Sequence, residues 1–259
     1  MGIVERLVPD ELWDLFQRVV PEAPSRPQGG GRRRHGDREV PAAIVFVTTS
    51  GCTWRQLPTA SFGLSGATAH RRFSAWPKAR HRLVLDELGA RGELDRSRCA
   101  IDSVNMRALK KGDLTGLNPV DRGKYGSKIH LITERNGLPL SVGISDANLH
   151  DSRALIPLIK GIPPIRSRRG RRRRKPGKLH GDRGYDYAHL RQWLHGRGIT
   201  HKGIESSQRP GRHRWTIERT MSWLAGCRRL HRRYERKADH FLAFIGIACT
   251  LICYRRLTK

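Results

Sequence analysis

Acidic residues are scarce in this chain, with 23 Asp and Glu against 51 Lys and Arg, so a carboxylate set in an apolar segment stands out. Three do. Asp102 follows Ala100 and Ile101, Asp182 closes Leu179-His180-Gly181, and Glu218 sits in Trp215-Thr216-Ile217-Glu218-Arg219. A carboxylate among apolar side chains is costly unless it is paired or binds a cation. Three such hard oxygen donors suit Mg²⁺ or Mn²⁺. Two of these ions roughly 3.5–4 Å apart can clamp the attacking and leaving oxygens of a phosphodiester. Each acid also has a plain structural reading. Asp102 reads as a turn cap, Asp182 as an Asx turn before Gly184, and Glu218 as a surface ion pair with Arg214 or Arg219. The residue types alone leave both readings open.

The three acids are far apart in sequence, so only a fold can unite them. Leu12, Leu15, Phe16 and Val19 recur at helical spacing, predicting a helix over Glu11–Val20 with Asp10 as its N-cap. A breaker-rich loop (Pro21–Gly31) and Arg32-Arg33-Arg34-His35 lead to a second helix over Val40–Thr49, stopped by Gly51. A third helical stretch, Thr68–Trp76, carries Arg71 and Arg72, and the arrangement resembles a helix-turn-helix that presents a basic helix to DNA. Strand character begins at Cys99–Val104. Ser127–Glu134 and Leu138–Ile144 flank Asn136-Gly137, the strongest hairpin-turn dipeptide, which predicts an antiparallel meander. A helix follows over His150–Lys160, with Pro157 arguing for a kink or early end. Then come a short strand at Leu179–Asp182, a helix at Tyr187–Gly196, a strand at Ile199–Ile204 and a helical C-terminal region with Ile217, Met221 and Leu224 on one face.

This order is compatible with a ribonuclease H-like sheet. There the strands of Asp102 and Asp182 lie side by side, and the helix of Glu218 crosses one face. The fold class expected is therefore α/β: a mixed sheet flanked by helices, preceded by a small all-α, helix-turn-helix-like domain. The expected division is residues 1–94 and 95–259.

Composition narrows the function. The chain has 259 residues, a formal net charge of +28 and 37% hydrophobic residues with six Trp. That charge disfavours an acidic protein partner or a small-molecule metabolic enzyme and favours a polyanion, most simply nucleic acid. The apolar content excludes a mere disordered tail. The longest apolar run, Phe241–Tyr254, falls short of the roughly 18 residues needed to cross a bilayer and reads as a buried core helix. The N-terminus lacks the basic-then-apolar order of a signal peptide. Five Cys form no CxxC pair, which fits free thiols in a reducing cytoplasm and argues against zinc.

Candidate phosphate contacts are Arg71 and Arg72, Lys124 and Lys128 (with His130 nearby), Arg214 four residues before Glu218, Arg219, and Arg228 and Arg229. The last two open a basic helix end that continues through Arg232, Arg233, Arg236 and Lys237. Residues 166–178 hold nine basic side chains and no acid, so mutual repulsion predicts disorder until a polyanion binds. His150 and Asp151 read as supporting groups, or Asp151 as a helix N-cap. Trp54 and Trp76 read as core anchors, and Trp215 and Trp223 as packing for the last helices, with base stacking as the other role.

Taken in order, several blocks resemble the insertion-sequence 5 group of DDE transposases, within the insertion-sequence 4 superfamily. They are Gly51-Cys52-Thr53-Trp54-Arg55-Gln56-Leu57-Pro58, Ala100-Ile101-Asp102-Ser103, Asp121 to Lys128, Ala147-Asn148-Leu149-His150-Asp151, Gly181 to Asp186, and Arg214 to Thr220 with Trp223-Leu224 and Arg228-Arg229-Leu230. The resemblance spans nearly the whole chain. It implies that Asp102, Asp182 and Glu218 form a metal-binding catalytic triad using Mg²⁺, with Mn²⁺ as substitute. It further implies cleavage at transposon ends, strand transfer into target DNA, double-stranded DNA as partner, a homodimeric synaptic complex, and a cytoplasmic, nucleoid-associated location without membrane contact. The Glu segment departs from the superfamily pattern: Gly211 and Ala225 stand where a Tyr and a Lys are usual. A relative that binds DNA as a regulator without catalysis is the alternative.

Overall fold

The computed structural model describes residues 2–19, 37–75, 80–202 and 215–259. Arg214, Gly211, Trp76 and the stretch from Pro21 to His35 lie outside them.

The N-terminal part is helical: α1 (Ile3–Leu7), α2 (Asp10–Phe16), α3 (Glu39–Ser50), α4 (Thr59–Phe62), α5 (Gly66–Ala75) and α6 (Arg80–Arg91). The spacing of apolar residues gave no sign of α1. Leu12, Leu15 and Phe16 are buried on α2 as their spacing requires, but the helix tightens into a 3-10 turn after Phe16. Asp10 is the first helical residue rather than the cap. Pro9 holds the cap position, and Asp10 pairs with Arg38 at 2.7 Å. Gly51 ends α3 in the left-handed region at φ 75°. Residues 51–65 join α3 to α5 through a 3-10 turn and α4, where a helix-turn-helix has a turn of about three or four residues.

The second part is built on a sheet of β1 (Cys99–Arg107), β2 (Gly116–Leu117), β3 (Tyr125–Thr133), β4 (Pro139–Asp146), β5 (Lys178–His180) and β6 (Thr200–Lys202). The order across it is β4–β3–β1–β5–β6, with β2 beside the start of β3 on the same edge as β4. β1, β3 and β4 form the expected antiparallel meander, turned at Gly137 with φ 90°. β5 then joins β1 in parallel, and β6 joins β5 in parallel. Three antiparallel strands followed by two parallel ones on the far side of the first is the ribonuclease H-like order.

Helices α7 (Ser152–Gly161), α8 (Ala188–His195), α9 (Trp215–Ala225) and α10 (Ala238–Leu257) flank the sheet. Pro157 does not break α7, which continues to Gly161. Ala154, Leu155, Leu158 and Ile159 bury one side of that helix, and this packing outweighs the missing backbone bond. α10 is, by length and composition, long and apolar enough to cross a membrane, contrary to the expectation from its apolar run. It is instead packed against α6, α9 and β4, with Phe241, Phe244, Ile245 and Cys249 fully buried. Around Phe244 the helical part and the sheet share one core: Phe73 stacks on it at 4.5 Å, and Trp54 lies at 5.8 Å. Trp54 is therefore the anchor its sequence context suggests. The five cysteines are free thiols.

Two charge-rich segments differ from expectation. Residues 166–178 are not a repelling coil. Ile165 and Arg173 pair as an antiparallel bridge, and Asp86 of α6 takes Arg172. The basic end after α9 is no helix but a 3-10 turn (Arg228–Leu230) and irregular chain, part of which pairs with β1's continuation at Ala108.

Candidate active site at the strand ends

β1 and β5 lie parallel with Cys99 opposite Leu179 and Ala100 opposite His180. The same register carried two residues further sets Asp102 opposite Asp182, beyond the buried apolar residues that fix both strands. Asp102 is half-buried, and its Oδ1 accepts the Ser103 N–H at 2.8 Å. Asp182 caps a 3-10 turn, its Oδ1 accepting the Gly184 N–H at 2.9 Å, so the Asx-turn geometry is present. Space is tight here: a Cβ on Gly184 would sit 3.0 Å from Asp182 Oδ1, and one on Gly181 would meet Ile101 at 3.0 Å, so any larger residue requires its neighbour to shift.

A third carboxylate stands beside this pair, and it is Asp151. Its Oδ1 accepts both the Ser103 hydroxyl at 2.9 Å and the Lys128 ammonium at 3.0 Å. Asp151 does hold the N-cap position of α7, but its side chain makes no bond to the first turn and is given to Ser103 and Lys128 instead. Tyr185 reports the grouping. Burial, then the charges of Asp151, Asp102 and Asp182, push its phenol above the ordinary range. Nothing in the Tyr185 sequence context marks it, whereas Asp151 was visible as an acid in an otherwise uncharged Asn148-Leu149-His150 block. On β3, His130 is buried and bonded to Ser145 at 2.7 Å, and desolvation lowers its pKa to about 4.

Glu218 lies on the exposed side of α9. That helix packs on β1 and β3 and is fastened at the hairpin turn. Thr220 donates to the Gly137 carbonyl and Arg219 to the Asn136 carbonyl, both at 2.6 Å. Among the described residues no three His, Cys, Asp or Glu side chains are close enough to hold a metal ion. The β1/β5 register sets Asp102 and Asp182 opposite one another, and α9, which carries Glu218, packs on β1 and β3.

The basic candidates divide. Arg71 and Arg228 are exposed, and Lys124 is 46% exposed with Asp121 at 3.9 Å. Arg72 is mostly covered, 3.9 Å from Asp37. Lys128 is held by Asp151 and the Leu149 carbonyl. Arg229 is no phosphate contact: it is buried in an ion pair with Glu235 and also donates to the Cys52 carbonyl. Arg219 is sandwiched between the rings of Trp215 and Trp223 at 4.5 and 4.6 Å. Those two Trp are 51% and 37% exposed, so they do not serve as core packing.

A ribonuclease H-like sheet with one carboxylate within its first strand and another just past the adjacent parallel strand defines the class. The chain belongs to the DDE transposase family: residues 93–253 match the family model described as transposase DDE domain, and residues 8–83 match that of a putative transposase of the IS4/5 family. Among individual relatives, it is 43% identical over 149 residues to the putative transposase for insertion sequence element IS402 of Burkholderia cepacia, covering 56% of this chain and 71% of that one. It is 35% identical over 119 residues to an uncharacterized 16.2 kDa protein of the same element, covering 44% of this chain and 81% of that one. Of solved structures, the Mos1 mariner paired end complex with Mn aligns over 95% of this chain and 84% of that one, with 12% identity and a TM-score of 0.36.

Proposed function

We propose that this insertion-sequence transposase cuts phosphodiester bonds at its element's ends and joins the freed 3′-hydroxyl to target DNA, with Asp102, Asp182 and Glu218 as the cation-holding carboxylates. The observation that carries this reading is the placement of Asp102 within β1 beside the point where parallel β5 ends and Asp182 follows, each Asp oriented by a backbone N–H. Open α/β sheets bind ligands beyond that edge. The donors are all oxygen and fit Mg²⁺ or Mn²⁺. When bound, such a cation supplies Lewis acidity for the attacking and leaving oxygens. The chain's own groups orient the reaction. The amides of Ser103 and Gly184 fix the two Asp side chains, Gly181 and Gly184 keep the approach open, and Lys128 and Ser103 hold Asp151 alongside. Glu218 completes the set from α9, which packs on the strand of Asp102. The Tyr185 phenol, buried beside these carboxylates and pushed up by burial and by their charges, stays neutral at physiological pH and does not act as a base.

Double-stranded DNA is the partner this reading requires, and the net charge of +28 favours it. Arg71, Lys124, Arg214 and Arg228 supply phosphate contacts in the proposal, two copies bring two ends together, and the protein works at the nucleoid in the cytoplasm. The test is nicking and joining of a duplex that carries the element's terminal repeat, with Mn²⁺ present. Asp102→Asn, Asp182→Asn and Glu218→Gln should each abolish both steps while duplex affinity without cation stays within a few-fold. Full nicking by Asp102→Asn overturns the assignment.

A further inference from the structure

We infer that the basic hairpin at 165–175, with the pocket beside it, is a second duplex-DNA surface on the sheet edge opposite Asp102 and Asp182. It rests on the reading of the protein as an enzyme acting on DNA.

The hairpin is built rather than loose. Ile165 and Arg173 exchange backbone hydrogen bonds at 2.9 and 2.8 Å. Asp86 accepts from Arg172 at 2.6 and 2.7 Å and from the Arg166 N–H at 2.8 Å, and Arg96 donates to the Arg173 carbonyl at 2.7 Å. One arginine is thus committed to the fold. Arg168, Arg169, Arg171, Arg174 and Lys175 stay exposed, and among the described residues none has an acidic partner. Holding five like charges on one ordered loop opposes their own repulsion, and a polyanion relieves it.

Behind the loop is a cavity of about 270 Å³ lined by Ile159, Lys160, Arg174, Lys175, Arg197 and Ile199. Four cations surround an apolar floor, and Arg197 is braced on the Trp193 ring at 4.4 Å. Every lining residue sits where chain enters β5 or β6 or where α7 ends, the edge away from the carboxylates. Asp151 precedes α7 and Lys160 lies in its last turn. The 10 residues of that helix span roughly 15 Å. The hairpin and the two Asp thus lie at opposite ends of α7, about four to five base pairs of duplex apart. Residues 165–175 contain no Phe, Tyr or Trp to stack an unpaired base, so the chemistry fits the phosphate backbone of a duplex, read without sequence preference.

The experiment compares wild type with a variant carrying Arg168→Gln, Arg169→Gln, Arg171→Gln and Arg174→Gln, and with a control carrying Arg6→Gln, Arg18→Gln, Arg55→Gln and Arg255→Gln. Circular dichroism confirms that both fold. On a long non-specific duplex the hairpin variant should lower the slope of log affinity against log salt by up to about 3.6, near 0.9 for each of the four phosphates no longer neutralised. Nicking of a short terminal-repeat duplex at saturating protein should be unchanged. An unchanged slope, an equal fall in the control, or a weakening confined to single-stranded RNA overturns the surface. A lowered slope in a protein whose Asp102→Asn form still nicks keeps the surface and removes the catalytic assignment, so the two failures are separable.

Discussion

The arginine-rich stretches at 166–178 and 228–237 look alike in sequence and meet opposite fates. In the first, Arg172 alone is tied to an acid, and its neighbours face solvent. In the second, Arg233 is completely buried and Arg229 nearly so. Among the described residues Arg233 makes no direct ion pair, and the charges of Glu235, Asp113 and Asp146 act on it only from further off. Its guanidinium donates to the carbonyls of Asp113, Leu114, Glu235 and Arg236 and to the Ser127 hydroxyl, filling the donor fork. It ties the basic loop before β3 to the chain after α9. Charge density therefore does not decide whether an arginine meets solvent. Acceptor supply does: irregular backbone converging at 113–114 and 235–236 offers carbonyls with no partner in a helix or strand, and a guanidinium satisfies several at once.

This contrast can be tested from the largest expected effect down. Arg233→Met should cost about 5 kcal/mol in urea unfolding, because each stranded acceptor costs about 1–3 kcal/mol. A change near zero would place Arg233 among the surface charges. Glu235→Gln leaves Arg229 buried without its counter-charge and should cost about 3–4 kcal/mol. Acid sharpens the comparison, since guanidinium groups do not titrate and both runs keep their charge. His130 has an ordinary pKa of 6.5, lowered to about 4 in the fold mainly by burial, with the Lys128 charge adding and Asp151 opposing. The unfolded chain then binds the extra proton, so stability is complete above pH 6.5 and falls as pH drops towards 4, by about 3 kcal/mol for this group. His130→Asn should flatten that slope by one proton. Asp86→Asn should cost only about 1 kcal/mol globally, yet speed amide exchange at Ile165 and Arg173. At the small end, Arg168→Gln should stay within about 0.5 kcal/mol of wild type.

Much of the sheet was legible. Asn136-Gly137 between two alternating segments can hardly be anything but a hairpin, and β1, β3 and β4 pair as that implies. Asp102 and Asp182 were legible because an acid among apolar residues needs a reason. Asp151 was harder to assign, since a carboxylate at the start of a helix reads as a cap until its partners Ser103 and Lys128 arrive from other strands. Pro157 misled because a missing backbone bond is local, whereas the burial that outweighs it is contributed by β3 and β4. The basic end after α9 misled because nothing in a run of arginines records which carbonyls will surround it.

The sequence alone determined the strand pattern, the family blocks, the basic character and the three candidate acids, since each is written in side-chain type and spacing along the chain. Tertiary structure decided which acids share an edge, which cations remain available to phosphate and which are spent inside. Those outcomes depend on partners far off in sequence, and desolvation and acceptor supply exist only once the chain has folded around them.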